Sequence, residues 1–96
     1  MPTYQGRPRF RRDFKSLTAA QVTAWKVALA LFVEGLRRGS FDPSLRIKRV
    51  QGEPGVWEMT WAPDGRATFQ YGDPVKAGDI HIIWRRIGTH NIFRNP

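Results

Sequence analysis

Apolar positions along this 96-residue chain change their spacing partway through, and the change divides it into a helical part and a stranded part. Phe10, Phe14 and Leu17 recur at helical spacing with Arg11, Arg12 and Lys15 between them, which predicts a short amphipathic helix. A longer one follows. Thr18 and Gln21 stand three apart as a capping box, in which each side chain satisfies a backbone N–H that the helix start leaves unpaired. Val22, Trp25, Leu29, Phe32, Val33 and Leu36 then trace one helical face, making Trp25 and Phe32 core residues. Arg37 and Arg38 fall where the helix dipole favours cations, and Gly39 is placed to end the helix.

After a turn at Asp42-Pro43 the pattern alternates. Leu45, Ile47 and Val50, with Arg46, Lys48 and Arg49 between them, predict a basic strand over residues 45–50. Gly52, Pro54 and Gly55 force a turn. In the next strand Trp57, Met59 and Trp61 share one face, and Val56, Glu58 and Thr60 the other. Pro63-Asp64-Gly65 is a hairpin turn, after which Ala67, Phe69 and Tyr71 point inward and Arg66, Thr68 and Gln70 outward. A last strand over residues 79–87, with Arg85 and Arg86 on opposite faces, runs into the turn Gly88-Thr89-His90. Residues 1–9 hold two prolines, a glycine and two arginines and read as an edge strand or an arm.

Helices first and strands afterwards predict one α+β domain over residues 1–96. Its helices would pack on one face of a small, twisted antiparallel sheet. The other face, with Glu58, Thr60, Arg66, Thr68 and Gln70, would stay open to a partner.

Charge adds the nature of that partner. Sixteen Lys and Arg against eight Asp and Glu leave a net +8, which favours a polyanion: nucleic acid, or an acidic protein covering the same surface. The absence of cysteine rules out disulfides, and two histidines argue against a structural zinc, so neither metal nor cofactor is expected. No apolar leader opens the chain and no stretch nears the length of a membrane span, so a cytoplasmic protein without a membrane partner is expected. His90, carried on the end of a strand, is mounted as a proton-transferring group should be. His81 reads as structural.

Four pieces, in this order, carry a resemblance that spans nearly the whole chain. They are the helix Phe10-Arg-Arg-Asp-Phe-Lys-Ser-Leu17, the basic run Leu45-Arg-Ile-Lys-Arg-Val50, the hairpin from Gly55-Val-Trp-Glu-Met59 to Arg66-Ala-Thr-Phe69, and the ending Arg86-Ile-Gly-Thr-His-Asn-Ile-Phe93. Together they resemble the RelE/ParE superfamily of toxins from toxin–antitoxin pairs, nearest the RelE/YafQ branch. The resemblance implies a small microbial-ribonuclease-type fold. It also implies cleavage of messenger RNA in the ribosomal A site, by attack of the ribose 2′-oxygen to leave a cyclic phosphate. Its implied partners are the ribosome, messenger RNA and a cognate antitoxin that wraps the toxin.

By the same resemblance His90 takes the place of the general acid or base, and Arg66 that of the arginine steadying the scissile phosphate. Arg46, Lys48, Arg49 and Arg86 would grip RNA. Phe93 either stacks on a base or packs the C-terminus. Relatives that place lysines on the central hairpin strand differ from this chain, where Glu58 and Thr60 hold that face. Glu58 then reads equally as the base or as a salt-bridge partner of Arg66. Two other readings stand beside the nuclease: a ParE-like inhibitor that acts by binding DNA gyrase, and an inactive basic RNA-binding relative.

Overall fold

In the computed structural model, which describes residues 2–96, five strands and two helices follow in the order β1 Thr3–Gly6, α1 Pro8–Lys15, α2 Ala19–Arg38, β2 Lys48–Arg49, β3 Trp57–Thr60, β4 Arg66–Gly72 and β5 His81–Gly88. Short 3-10 helices lie at Pro43–Leu45 and His90–Arg94. The strands line up as β1-β5-β4-β3-β2. All neighbours are antiparallel except β1 and β5, which run parallel with Thr3 opposite His81 and Gly6 opposite Trp84. The α+β class is the one the helix-first pattern predicts, and the sheet is mixed rather than wholly antiparallel.

Both ends of α2 form as their residues dictate. The Thr18 hydroxyl accepts from the Gln21 N–H at 3.1 Å, and the Gln21 side chain accepts from the Thr18 N–H at 2.8 Å. Such a cap stabilises by about 1 kcal/mol. Gly39 ends the helix at φ 82°, a left-handed conformation that glycine adopts without steric cost. By length and composition Ala19–Arg38 is apolar enough to span a membrane, contrary to the sequence expectation. Its Trp25, Ala28, Phe32 and Gly35 are buried, and the first three join the hydrophobic core.

Aromatic rings dominate that core. Phe32 meets Phe69 edge-on at 5.0 Å and lies 5.0 Å from Trp84, while Trp25 stands edge-on to Trp84 at 5.0 Å. Met59, Ala67, Ile82 and Ile87 complete the sheet's contribution. The hairpin between β3 and β4 closes through Gly65, whose N–H reaches the Ala62 carbonyl at 3.0 Å. A Cβ on Gly65 would lie 2.6 Å from the ring of Trp61, itself buried. Gly65→Ala should therefore destabilise the fold by about 1–3 kcal/mol, read as a lower urea midpoint at unchanged slope.

Two expected features take a different form. The basic strand expected over residues 45–50 shrinks to Lys48–Arg49. Asp42 accepts from the Ser44 N–H at 2.9 Å and from its hydroxyl at 2.7 Å, winding Pro43–Leu45 into a 3-10 turn. Arg46 follows at φ 48° and cannot extend the strand.

The second difference is in β5. Thr68 pairs with Arg86 but the next residue, Phe69, pairs with Trp84, so Arg85 is an extra residue in a bulge. The buried positions of β5 accordingly run Ile82, Trp84, Ile87, a step of two and then of three. Arg85 and Arg86 therefore both leave the core side of the strand, not to opposite sides as strict alternation predicts, and Arg86 reaches past the sheet edge to Asp13 of α1. Further along the same face, buried His81 takes the Thr3 hydroxyl on Nδ1 at 2.7 Å and Gln5 Oε1 on Nε2 at 3.0 Å. This is a satisfied histidine that fastens β1 to β5.

Candidate functional site

The helix-free face of the sheet is divided in two. Over β4 and β5 the 3-10 helix His90–Arg94 and the following tail fold back. Thr68 Oγ1 donates to a main-chain oxygen of Pro96 at 2.9 Å, Arg85 Nε to the same oxygen at 3.1 Å, and an Arg86 guanidinium N–H to the Asn95 carbonyl at 3.0 Å. Thr68, expected on an open surface, is completely buried. The uncovered part lies over β2 and β3 and the near end of β4, with Lys48, Glu58, Thr60 and Arg66.

At that end the register sets Arg66 opposite a residue two positions before His90. Arg66 opens β4 directly opposite Gly88, the last residue of β5. Two residues later comes His90. The Thr89 hydroxyl accepts from the Asn91 N–H at 3.4 Å, starting the terminal 3-10 helix and fixing where His90 leaves the strand. The imidazole is exposed, and the ring of Phe93 meets it edge-on with centroids 4.9 Å apart.

Arg66 is held at its root. One terminal nitrogen donates to the carbonyls of Ala62, Pro63 and Gly65 at 3.3, 3.3 and 2.9 Å, which staples the guanidinium to the hairpin turn. Its Nε and second terminal nitrogen have no protein partner among the described residues. They form a donor pair suited to a phosphate or carboxylate. Glu58 sits opposite Lys48 on one side and Thr68 on the other, diagonal to Arg66 at a backbone separation of about 7–8 Å. Its ion pair is with Lys48, at 3.9 Å, rather than with Arg66.

The other basic residues disperse. Lys48 shares the face of Glu58, whereas Arg49 turns to the other side, with its guanidinium 5.1 Å from the centre of the Trp57 ring. Arg46 lies outside the sheet. Arg86 is engaged with α1: its guanidinium donates to both Asp13 oxygens, at 2.6 and 3.2 Å, and Asp13 also accepts from the Ile87 N–H at 3.2 Å. Beyond Trp84 β5 has no β1 partner, and Asp13 takes the place of the missing strand. The sequence did carry a signal for Asp13, the one carboxylate in a helix that also holds Arg9, Arg11, Arg12 and Lys15.

Two helices packed on a five-stranded sheet make up a fold that this chain shares with solved RelE and YafQ toxins. Its solved examples are similar to this chain over almost their full lengths. For the Escherichia coli DinJ–YafQ toxin–antitoxin complex the TM-score is 0.71 at 15% identity, covering 94% of this chain and 93% of that one. For the RelB–RelE antitoxin–toxin complex of Methanococcus jannaschii it is 0.60 at 17% identity, covering 94% of each. A metal-bound toxin from Helicobacter pylori gives 0.63 at 18% identity, covering 95% of this chain and 97% of that one. No protein-family model matches the sequence, and no curated protein matches it.

Proposed function

We propose that this protein is the toxin of a toxin–antitoxin pair and that it cuts messenger RNA on the ribosome. The observation that supports the reading is the pairing of Arg66 with Gly88, two residues before the exposed His90. A binding module has no need of a titratable group there.

The chemistry follows from the side chains. The ribose 2′-oxygen attacks phosphorus, forming a cyclic phosphate as the bond to the 5′-oxygen breaks. Glu58, kept near a cation by Lys48, takes the 2′-hydroxyl proton. Protonated His90 gives its proton to the leaving 5′-oxygen. The free donors of Arg66 hold the two non-bridging oxygens, whose charge grows in the transition state. Phe93 keeps the imidazole in place by its edge-on contact, and Lys48 binds the neighbouring backbone phosphate. Because neither Glu58 nor His90 ends the step in its starting form, water restores both when the cyclic phosphate leaves.

On this reading the protein acts in the cytoplasm and is silenced by an antitoxin. DinJ–YafQ and RelB–RelE are both complexes with an antitoxin, and a net +8 surface suits an acidic partner segment. Primer extension on a defined message, with translating ribosomes and purified protein, tests the proposal. Discrete cuts within codons are expected. An intact message together with double-strand breaks and gyrase inhibition would replace this reading by the gyrase one.

A further inference from the structure

We infer that Thr68, supported by Arg85 and Gln70, is a positioning residue for His90. It fastens the segment that follows His90 to the strand that Arg66 opens, and so fixes where the imidazole stands. The catalytic consequence rests on the nuclease reading, whereas the fastening rests on hydrogen bonds within the protein.

That segment needs fastening. His90–Arg94 is a single 3-10 helix of five residues, too short to hold itself, because so few hydrogen bonds offset the ordering of its backbone. At its start the Thr89 cap is long, at 3.4 Å. Ile92 is its buried residue and rests on Gly88, where a Cβ would come within 3.0 Å of the Ile92 Cγ2. Beyond the helix, donors from two strands hold the chain. Thr68 and Arg85 both donate to the Pro96 main-chain oxygen, and Arg86 donates to the Asn95 carbonyl. His90, and the Phe93 ring that meets it, thus lie between two fixed points, Gly88 and Pro96.

Thr68 has no other task for its hydroxyl. The residue is completely buried, where a hydroxyl is costly unless bonded and a valine of similar shape would not be. Its side-chain bond is the one to Pro96. Arg85 is held in turn, because a terminal nitrogen donates to Gln70 Oε1 at 2.6 Å, and Arg7 donates to the same oxygen at 3.2 Å. Thr68 and Gln70 follow Arg66 at steps of two along β4. One side of one strand therefore carries the guanidinium of the site and then the two groups that locate the tail. Arg66 and the helix bearing His90 share a single frame of reference, set by residues that touch neither.

The test uses the full chain. Thr68→Val removes the hydroxyl and keeps the shape of the buried side chain, while Thr68→Ser keeps the hydroxyl. Thr18→Ala breaks the α2 cap instead, a comparable loss of stability away from the tail. Amide order parameters over Asn91–Phe93 should stand near the rigid value of about 0.85 in the parent and fall below about 0.6 in Thr68→Val. Thr68→Ser and Thr18→Ala should keep the parent values. In single-turnover cleavage on programmed ribosomes, Thr68→Val should lower kcat about 10- to 100-fold at unchanged KM, as misplacement of a reacting group does, and Thr68→Ser should restore it. Arg85→Lys loses the fork that spans Pro96 and Gln70, and reports on the same oxygen should Thr68→Val fail to fold. Order parameters unchanged in both Thr68→Val and Arg85→Lys would overturn the fastening. A loosened helix that cuts at the parent rate, or equal slowing by Thr18→Ala, would overturn the positioning role. Since order parameters need no substrate, a parent that cuts no message defeats the nuclease reading and the catalytic consequence together, and leaves the fastening to be decided by the relaxation data.

Discussion

Replacing His90 with glutamine should slow messenger RNA cleavage by about 100- to 10,000-fold, the worth of a positioned general acid or base. Glutamine keeps a hydrogen-bonding side chain of similar reach and cannot act as an acid or base. Because the imidazole is exposed and its one ring contact is with Phe93, nothing in the core depends on it. Thermal unfolding of the variant should match the parent, and its binding to uncut message should be unchanged. Single-turnover rates on programmed ribosomes separate the two quantities, and full cleavage by the variant would remove His90 from the mechanism. Arg66 is a poorer first probe. It holds both the phosphate on this reading and three carbonyls of the hairpin turn, so its loss mixes chemistry with structure.

The largest effect on stability is expected away from the site, at Asp13. Asp13→Ala removes both bonds to the Arg86 guanidinium and the bond to the Ile87 N–H, leaving a half-buried cation without its counterion. Breaking a fully buried pair costs several kcal/mol; with side chains 17% and 19% exposed, about 2–3 kcal/mol is expected here. Urea unfolding would report it, and a change under about 0.5 kcal/mol, the level of an ordinary surface substitution, would show that the pair does not hold α1 to β5. Some loss of cleavage should accompany the instability, because Arg86 lies four residues before His90 on the same segment.

Both predictions join a residue that the sequence made legible to one that it hid. Helix α2 could be read to its last residue, because capping box, period and terminal glycine are local signals that agree. The hairpin was legible for the same reason, with Asp64-Gly65 turning Met59 and Ala67 to one side. His90 stood out as a candidate by residue type and its place at a strand end, and Arg66 by the resemblance. That Arg66 lies opposite Gly88, two residues before His90, is a property of the β4–β5 register.

What stayed hidden depends on distant partners. Nothing near Thr3 announces a parallel neighbour at His81. The bulge at Arg85 left a trace in the unequal spacing of Ile82, Trp84 and Ile87, which strict alternation smooths over. Thr68 looked like surface because the tail that covers it comes 28 residues later. Arg46 and Arg49 looked like strand companions of Lys48 until the 3-10 turn and the short pairing with β3 separated them.

The parallel pairing of β1 with β5 also sets a schedule. Residues 78 apart in sequence must meet before the sheet has its full width, and in synthesis β5 follows every other strand. Until it emerges, the apolar face of α2 lacks Ile82, Trp84 and Ile87, Arg66 has no Gly88 beside it, and His90 does not yet exist. On the nuclease reading, a nascent chain therefore carries no assembled site on the very ribosome that is making it. On the proposed reading, synthesis of this chain is insulated from its activity by the order in which its strands are made.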